Sequence, residues 1–193
     1  LNPAREKLRL VVTRNAADRL GEALGAGGLE PEIADPRKFP APLDPGAVHQ
    51  GAALEVKPLN WGSLEEVVMA GQGRPVVVAL DRVTDPHNVG AILRSAEVFG
   101  ASAVIAPLRY SAPETGALAK TASGALERQP YLRVKNLSVT MEALKDMGFQ
   151  LIGLAGEVDE TLEASLATVG DRVALVLGAE GPGLRDKTRA TCD

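Results

Sequence analysis

Two short segments of this sequence combine residue types and spacings that could support chemistry, and the first runs from Asp85 to Arg94. Asn88 can cap a helix that begins here, and Gly90 removes a side chain from its first turn. Arg94 follows Asn88 by six residues, less than two turns along the predicted helix. A helix N-terminus with an arginine nearby suits a phosphate or another anion. Taken alone, the same residues also fit a plain N-cap and a surface arginine.

The second segment, Leu177–Leu184, places three glycines around Glu180 after a predicted buried strand. Glycine permits close backbone approach, but the spacing G-x-x-G-x-G is not the dinucleotide fingerprint, and the chain has no Walker sequence. The carboxylate of Glu180 would repel a phosphate bound in this loop. It suits a site that orients a hydroxyl or a cationic group. Considered alone, the segment fits a glycine-rich turn with an exposed glutamate equally well.

Four further features carry weaker signals. Lys120–Ala125 could hold a phosphate through Lys120 and backbone N–H groups, although a solvated loop is the simpler interpretation. His87 could act as a general base, but the sequence shows no carboxylate partner for it. His49 lies in a strand-like segment and is predicted to be structural, and Trp61 is predicted to pack at a domain junction.

The composition excludes several classes of protein. The 193 residues are 45% hydrophobic and 24% charged, as in a soluble globular protein, and no membrane-length apolar run or signal peptide is visible. One cysteine and two histidines give no basis for an internal disulfide or a metal site, and they fit a reducing cytoplasm. The net charge of −4 and the scarcity of aromatic residues count against a general nucleic-acid-coating protein and a base-stacking surface.

Apolar strands alternate with helices after a boundary near Met69–Pro75. The predicted strands are Val76–Leu80, Ala103–Ala106, Tyr131–Val134, Phe149–Leu154 and Val173–Leu177, and the predicted helices are Val89–Phe99, Pro113–Ala119 and Ser138–Met147. Strands that are apolar on both faces are typical of a parallel sheet covered on both sides, so we predict an α/β fold. Ligands collect at the carboxyl ends of such strands, which directs attention to the loops after Leu80, Leu154 and Leu177.

The region before this boundary has a different character. The predicted elements are a strand over Leu8–Thr13, a helix over Asn15–Leu24 capped by Asn15, a loop or linker over Pro31–Pro45, a strand over Val48–Val56 and a helix over Ser63–Val68. Residues 1–19 carry five basic side chains against two acidic ones, although the chain as a whole is acidic. Contact with RNA would therefore be confined to patches and sensitive to salt, and would depend on backbone and shape more than on base stacking.

In combination, these segments resemble the SpoU (TrmH-like) family of RNA ribose 2′-O-methyltransferases in the SPOUT superfamily. Asp85–Ala101 matches the first family motif, Val176–Leu184 matches the second, and Lys120–Glu127 matches the intervening K-x-x-S-G-A-x-E stretch. Val48–Pro58 resembles the segment that joins the two domains in the RlmB-like branch. The resemblance thus covers most of the chain, strongly after residue 75 and weakly before residue 48.

The resemblance implies a fold and an assembly that the pattern of residues does not show. It implies a parallel sheet with a C-terminal trefoil knot, preceded by a small α+β substrate-binding domain. The expected division is residues 1–47 for the N-terminal RNA-binding domain and its linker, 48–74 for a connecting segment, and 75–193 for the methyltransferase domain. The implied cofactor is S-adenosylmethionine, and the implied assembly is a cytoplasmic homodimer with the active site at the subunit interface.

Individual roles follow from the match to the family motifs. The resemblance assigns catalysis to Asn88, Arg94 and Glu180, cofactor binding to Leu154, Ala155, Leu177 and Gly178, and RNA binding to Lys120 and Ser123. No metal is implied. The third family motif, an I-P-M stretch followed by a Ser-Leu-Asn-Val-Ser helix start, is absent because the chain stops at Asp193. We therefore expect the chain to be part of a longer polypeptide.

The predicted function is S-adenosylmethionine-dependent methylation of a ribose 2′-OH, with a guanosine of large-subunit ribosomal RNA preferred as the substrate. Transfer RNA is the alternative substrate. A non-catalytic RNA-binding or assembly protein with the same fold is a second alternative, which does not account for the joint presence of Asn88, Arg94 and Glu180. A nucleotide-dependent oxidoreductase is a third, and the missing dinucleotide fingerprint counts against it.

Overall fold

The computed structural model describes residues 2–25, 27–43, 47–70, 73–156, 158 and 160–193. The chain forms two compact units, Leu1–Asn60 and Trp61–Asp193. The segment predicted to connect two domains, residues 48–74, contributes a strand to the first unit and a helix to the second. Each unit has its own sheet.

The first unit contains a three-stranded mixed sheet. Its elements are β1 (Lys7–Thr13), α1 (Arg14–Leu20), α2 (Glu22–Gly25), β2 (Glu32–Ala34), a 3₁₀ turn over Pro36–Lys38, and β3 (Ala52–Val56). The strand order is β2-β1-β3, and β1 pairs parallel with β2 and antiparallel with β3. The unit contains both helices and strands, and its role as a substrate-binding domain stays a prediction.

Several predicted boundaries in this unit are wrong. The helix is capped by Thr13, whose hydroxyl accepts a hydrogen bond from the Ala16 amide at 3.3 Å, and not by Asn15. It is also interrupted at Gly21, where φ is +49°, so the predicted single helix is two short ones. The proline-rich stretch predicted as a loop holds β2 and a 3₁₀ turn, and its residues 44–46 lie outside the described residues.

The second unit is built on a five-stranded parallel sheet. Its strands are β4 (Val76–Asp81), β5 (Ala103–Pro107), β6 (Tyr131–Val134), β7 (Gln150–Leu154) and β8 (Val173–Gly178), in the order β6-β5-β4-β8-β7. Its helices are α3 (Leu64–Met69), α4 (Pro86–Val98), α5 (Gly116–Thr121), α6 (Leu137–Asp146), α7 (Leu162–Thr168) and α8 (Asp186–Thr191). All four neighbouring pairs of strands are parallel, which confirms the predicted sheet.

Apolar side chains cover both faces of this sheet. On one face, Val77 and Ala79 of β4 pack with residues of α3 and α6, such as Val68 and Met141. On the other face, Val78 and Leu80 pack in a second cluster with residues of α4 and α5; these include Val89, Leu93, Ala96 and Leu118. Consecutive residues of β4 therefore point into opposite cores, as alternation along a strand requires.

The helices of the second unit begin at other residues than predicted. Asp85 is the N-cap of α4, and its carboxylate accepts a hydrogen bond from the His87 amide at 2.8 Å. The prediction that Asn88 caps this helix is therefore wrong, and the Asn88 side chain is available for another partner. Thr115 caps α5 in the same way, so that this helix starts at Gly116 and not at Pro113.

Candidate functional site

The predicted loops meet at the carboxyl edge of the parallel sheet. Leu177 in β8 lies in register between Leu80 in β4 and Leu154 in β7. One residue further, Gly178 pairs with Asp81. The three strand ends singled out from the sequence are therefore neighbours, with β8 in the middle.

Two of the three predicted catalytic residues are in contact at this edge. Asn88 lies in the first turn of α4, half-buried, and Glu180 lies exposed in the loop after β8. The Asn88 amide nitrogen Nδ2 donates to Glu180 Oε2 at 3.4 Å, which joins positions 92 residues apart in the sequence. The two side chains present an amide and a carboxylate side by side, and this pair can both donate to and accept from a hydroxyl group.

The glycines shape the loop that carries Glu180. The amide of Ala179 donates to the Gly183 carbonyl at 3.1 Å, and the amide of Gly183 donates back to Ala179 at 2.9 Å. A side chain on Gly178 would overlap the backbone of Gly183. Gly181 and Gly183 adopt φ of +84° and +67°, which glycine accommodates at no steric cost. The loop is thus a tight hairpin that holds Glu180 at its tip.

A buried carboxylate that was not singled out from the sequence anchors the far end of this loop. Asp81, the last residue of β4, is fully buried. It accepts a hydrogen bond from the Arg185 amide at 3.0 Å and another from Arg185 Nε at 2.7 Å. The sequence does carry a signal for Asp81, since it is a lone acidic residue at the end of an otherwise apolar strand. Because burying an unpaired carboxylate is costly, a residue in this position is expected to have a partner.

Arg94 lies on a different side of α4 from Asn88. At 3.6 residues per turn, six residues separate the two side chains by about 120° around the helix. Arg94 is exposed, and within the described part of the chain it has no hydrogen-bond or ion-pair partner. The structure therefore does not bring Arg94 to the Asn88–Glu180 pair within one chain.

The segment predicted to bind RNA packs beside the start of α4. A side chain on Gly90 would meet the Leu118 carbonyl and Thr121 Cβ of α5 at 2.8 Å, so the two helices are in close contact. His87 Nδ1 lies 3.0 Å from Thr121 Oγ1, a polar contact across the same junction. Beyond it, Lys120 and Ser123 are both exposed on α5 and on the turn that follows.

The residues predicted to bind the cofactor are uncharged and half-buried. Leu154 ends β7 and is paired with Leu177 of β8, while Ala155 directly follows β7 and Gly178 is the last residue of β8. These positions offer apolar side chains and backbone groups at adjacent strand ends. Such a surface suits a neutral aromatic base and its hydrogen-bonding edge, and does not suit a highly charged group.

Among the described residues, no group of three or more His, Cys, Asp or Glu side chains is placed to hold a metal ion. None of the helices described is both long and apolar enough to cross a membrane.

The sequence is similar to the proteins of one named family. Residues 75–193 match the model of the SpoU rRNA Methylase family. The 23S rRNA (guanosine-2'-O-)-methyltransferase RlmB of Vibrio cholerae is 46% identical over 151 residues, which are 77% of this chain and 60% of that protein. RlmB of Escherichia coli is 42% identical over 173 residues, 89% of this chain and 70% of that protein. The chain thus spans about three fifths of the length of the Vibrio cholerae relative.

Solved structures share the fold. The SpoU methyltransferase AviRb from Streptomyces viridochromogenes, in complex with the cofactor AdoMet, matches with a TM-score of 0.72 and 20% identity over 98% of this chain and 72% of that chain. An AdoMet-bound rRNA methyltransferase from Sinorhizobium meliloti matches with a TM-score of 0.67 and 23% identity, over 97% and 69% of the two chains. At these identities the likeness concerns the fold.

Proposed function

The chain belongs to the SpoU rRNA methylase family, and from this premise we propose that it methylates a ribose 2′-OH of RNA with S-adenosylmethionine as the methyl donor. The observation that carries the proposal is the contact between Asn88 and Glu180 at the carboxyl edge of the sheet. The proposed substrate is a guanosine of 23S ribosomal RNA, as in the names of the RlmB relatives. With ribosomal RNA as the substrate, the proposed place of action is the cytoplasm.

The residues at the ends of β7 and β8 fit the proposed cofactor. When bound, S-adenosylmethionine supplies a methyl group that its sulfonium sulfur has already activated. Leu154 and Leu177 would contact the adenine ring with apolar side chains, and the backbone of Ala155 and Gly178 would hydrogen-bond its polar edge. The close packing of Gly178 against Gly183 keeps this backbone in one position.

The side chains at the edge have the task of positioning the hydroxyl group. A ribose hydroxyl is a poor nucleophile, so it must be held in line with the methyl group and must lose its proton. Asn88 and Glu180 would orient the ribose through hydrogen bonds, and Arg94 would bind the phosphate next to it. A guanidinium presents five N–H donors and no acceptor, so Arg94 is better suited to binding phosphate than to accepting the proton.

A second copy of the chain would complete the site. Arg94 lies about 120° around α4 from Asn88 and has no partner among the described residues. This arrangement favours a homodimer in which Arg94 of one subunit lies next to the Asn88–Glu180 pair of the other and binds the same substrate. Lys120 and Ser123, exposed next to the first turn of α4, would contact the RNA backbone.

We also propose that the C-terminal part of the second unit forms the trefoil knot of the family. Strand β8 inserts between β4 and β7, although β7 precedes it in the sequence. The last residue then lies beside β7, since the Asp193 amide donates to the Leu151 carbonyl at 2.9 Å and the Leu151 amide donates to Asp193 Oδ2 at 2.9 Å. A chain that enters the sheet and returns to its edge in this way is compatible with a knot.

Methyl transfer to 23S ribosomal RNA tests the proposal. Radiolabelled S-adenosylmethionine would be supplied with ribosomal or transfer RNA from a strain that lacks the enzyme. We expect Asn88→Ala, Arg94→Ala and Glu180→Gln to lower kcat by about 100-fold or more, the usual effect of losing a positioned catalytic group. Arg74→Ala is the control, because Arg74 is an exposed arginine that precedes β4, at the opposite edge of the sheet.

Three outcomes would contradict parts of this proposal. Near-normal turnover by a folded Arg94→Ala variant would remove Arg94 from the site. Modification of transfer RNA alone would move the substrate to the alternative class. Binding of S-adenosylmethionine and RNA by the parent chain without any methyl transfer would favour a non-catalytic RNA-binding protein.

A further inference from the structure

Two residues beside the proposed active site hold backbone conformations that are rare outside glycine. Arg82 directly follows β4 and has φ of +59°, and Tyr110 lies in the loop after β5 and has φ of +60°. For residues with a Cβ atom, this left-handed region costs free energy and persists only when the surroundings enforce it. Because β4 and β5 are adjacent parallel strands, both residues lie at the same edge of the sheet.

These two side chains are in contact with each other. The Arg82 guanidinium carbon lies 4.8 Å from the centre of the Tyr110 ring, the geometry of a cation–π interaction. The pair is not part of a core, since Tyr110 is 68% exposed and Arg82 is also exposed. An aromatic ring and a planar cation are thus stacked on each other and presented to solvent.

The loop under Tyr110 is held rigidly from the neighbouring strand β6. The guanidinium of Arg133 donates to four acceptors in or next to this loop: the carbonyls of Pro107, Leu108 and Ala112 and the Ser111 hydroxyl. The Ala112 amide also donates to the Val83 carbonyl at 3.1 Å, which ties the loop after β5 to the loop after β4. The exposed pair is therefore preorganised, and little conformational entropy would be lost when a ligand stacks on it.

The position of the pair points to RNA as its ligand. Arg82 is six residues before Asn88 in the sequence, and the exposed Arg109 precedes Tyr110. Proteins that bind single-stranded RNA combine aromatic rings, on which bases stack, with arginines that neutralise the backbone. The overall scarcity of aromatic residues disfavours an extended base-stacking surface, but a single ring at the site edge is sufficient for one base.

We propose that Arg82 and Tyr110 form a stacking platform for a nucleobase of single-stranded RNA that flanks the methylated nucleotide. The inference rests on the proposed function and adds a binding subsite to it. Tyr110 supplies the stacking surface, which tolerates any base because every base has a π-face. Arg82 holds the ring by its cation–π contact and neutralises one phosphate.

Binding of a fluorescent oligonucleotide to the full chain tests the platform. The probe is a 12-residue oligoriboadenylate that carries one 2-aminopurine, whose fluorescence is quenched by stacking. We expect Tyr110→Ala to raise the Kd roughly 5- to 150-fold, the range for losing one stacked base, and to relieve the quenching. Tyr110→Phe should bind within about twofold of the parent, because it keeps the ring.

Phe99→Ala is the matched control. Phe99 is 87% exposed and lies at the C-terminal end of α4, far along the helix from Asn88. Its loss should leave the Kd unchanged. A Kd that is insensitive to Tyr110→Ala, or equally raised by Phe99→Ala, would overturn the platform. An equal effect of Tyr110→Phe and Tyr110→Ala would also overturn it, because the hydroxyl and not the ring would then be the contact.

Salt dependence separates the two halves of the pair. Arg82→Gln should lower the slope of log K against log salt by about 0.7, the value for one phosphate on a single strand, whereas Tyr110→Ala should not change it. A parent chain that does not bind the probe would overturn the inference and favour a protein partner for this surface. Calorimetric titration with S-adenosylmethionine and the methyl-transfer assay report on the proposed function separately, since neither depends on the probe.

Discussion

The loops after β8 and β5 lie at the same edge of the parallel sheet, but they are held in place by different means. The β8 loop is shaped by its own backbone, with paired hydrogen bonds between Ala179 and Gly183 and a close contact at Gly178. The β5 loop has no such turn and is held from below by the side chain of Arg133. The β8 loop places backbone groups and the Glu180 carboxylate at the candidate site, and the β5 loop presents the Tyr110 ring to solvent.

The difference reflects what each loop is proposed to do. A loop that holds a cofactor through backbone groups needs close approach, which glycine permits and a side chain would block. A loop that presents a side chain to a ligand needs a rigid backbone and an open surface. An arginine that donates several hydrogen bonds from beneath the loop holds the backbone in place and leaves the ligand-facing surface free. The anchors of the two loops are expected to differ in how much stability is lost when each is altered, and the largest losses are expected in the β8 loop.

The largest effect is expected from a side chain at the point where the β8 loop folds back. Gly178→Ala would place a methyl group on the backbone of Gly183 and Leu184, which cannot move without opening the turn. We expect the free energy of unfolding to fall by about 3 kcal/mol or more, because a clash with backbone is not relieved by a change of rotamer. Urea unfolding followed by circular dichroism measures this loss.

Gly116→Ala is the control for that substitution. A methyl group on Gly116, the first residue of α5, would meet no heavy atom within 4 Å. We expect its stability to stay within about 1 kcal/mol of the parent, on the stabilising side, because alanine favours helix over glycine. Equal losses in the two variants would contradict the role given to Gly178.

A smaller effect is expected from the buried carboxylate under the same loop. Asp81→Asn keeps the size of the side chain but turns an amide toward the donors of Arg185, and we expect a loss of about 2 kcal/mol. Glu97→Gln is the control, because the Glu97–Arg128 pair is also a carboxylate–arginine contact but lies at the surface. The loss of stability in Glu97→Gln should be smaller than in Asp81→Asn, because an ion pair at the surface contributes little. If urea unfolding shows the same loss of stability for Asp81→Asn and Glu97→Gln, then the buried Asp81 contact stabilises the chain no more than the surface pair does.

The smallest effect concerns the strand that anchors the β5 loop. Burial raises the pKa of Tyr131 to about 12, whereas an unfolded tyrosine titrates near about 10. As the pH rises, the unfolded chain releases the Tyr131 proton before the folded chain does. The contribution of this protonated tyrosine to the free energy of unfolding is therefore complete below about pH 10 and is lost as the pH rises through about 12. We expect a loss of about 1.4 kcal/mol at pH 11.

Tyr131→Phe should remove this loss and leave stability at neutral pH nearly unchanged. The Tyr131 hydroxyl is buried, and no described group accepts or donates a hydrogen bond to it. The measurement is the midpoint of urea unfolding between pH 8 and pH 11 for the parent and the variant. Parallel pH profiles would show that Tyr131 is not the group that titrates.

Much of the fold was predicted from local patterns, and the errors have local causes. The five strands of the second unit were found because runs of apolar, β-branched residues identify buried strands well. Helix ends were less reliable, since Asp85 and Thr13 compete with nearby Asn residues as caps, and the sequence alone does not decide which one binds the first amides. Helix α7 was not predicted, and it contributes no fully buried residue.

The candidate site was predicted in part. Asn88 and Glu180 were singled out from motif order, and they are in contact in the structure. Asp81 and the Arg82–Tyr110 pair were not singled out, because each depends on a partner on another strand or loop. The position of Asp81 after an apolar strand predicts that it has a partner but not which one, and Arg82 and Tyr110 give no signal until the fold shows what they touch.

The sequence by itself determined the alternation of strands and helices, the glycine-rich loop and, through its motifs, the family, because these are properties of neighbouring residues. Only the tertiary structure decided which strand ends are adjacent, since the order β6-β5-β4-β8-β7 brings together segments about a hundred residues apart. It also decided that Glu180 meets Asn88 across 92 residues of sequence, and that two residues with left-handed backbones stack on each other at the site edge. Such placements depend on packing between distant segments, which no local pattern encodes.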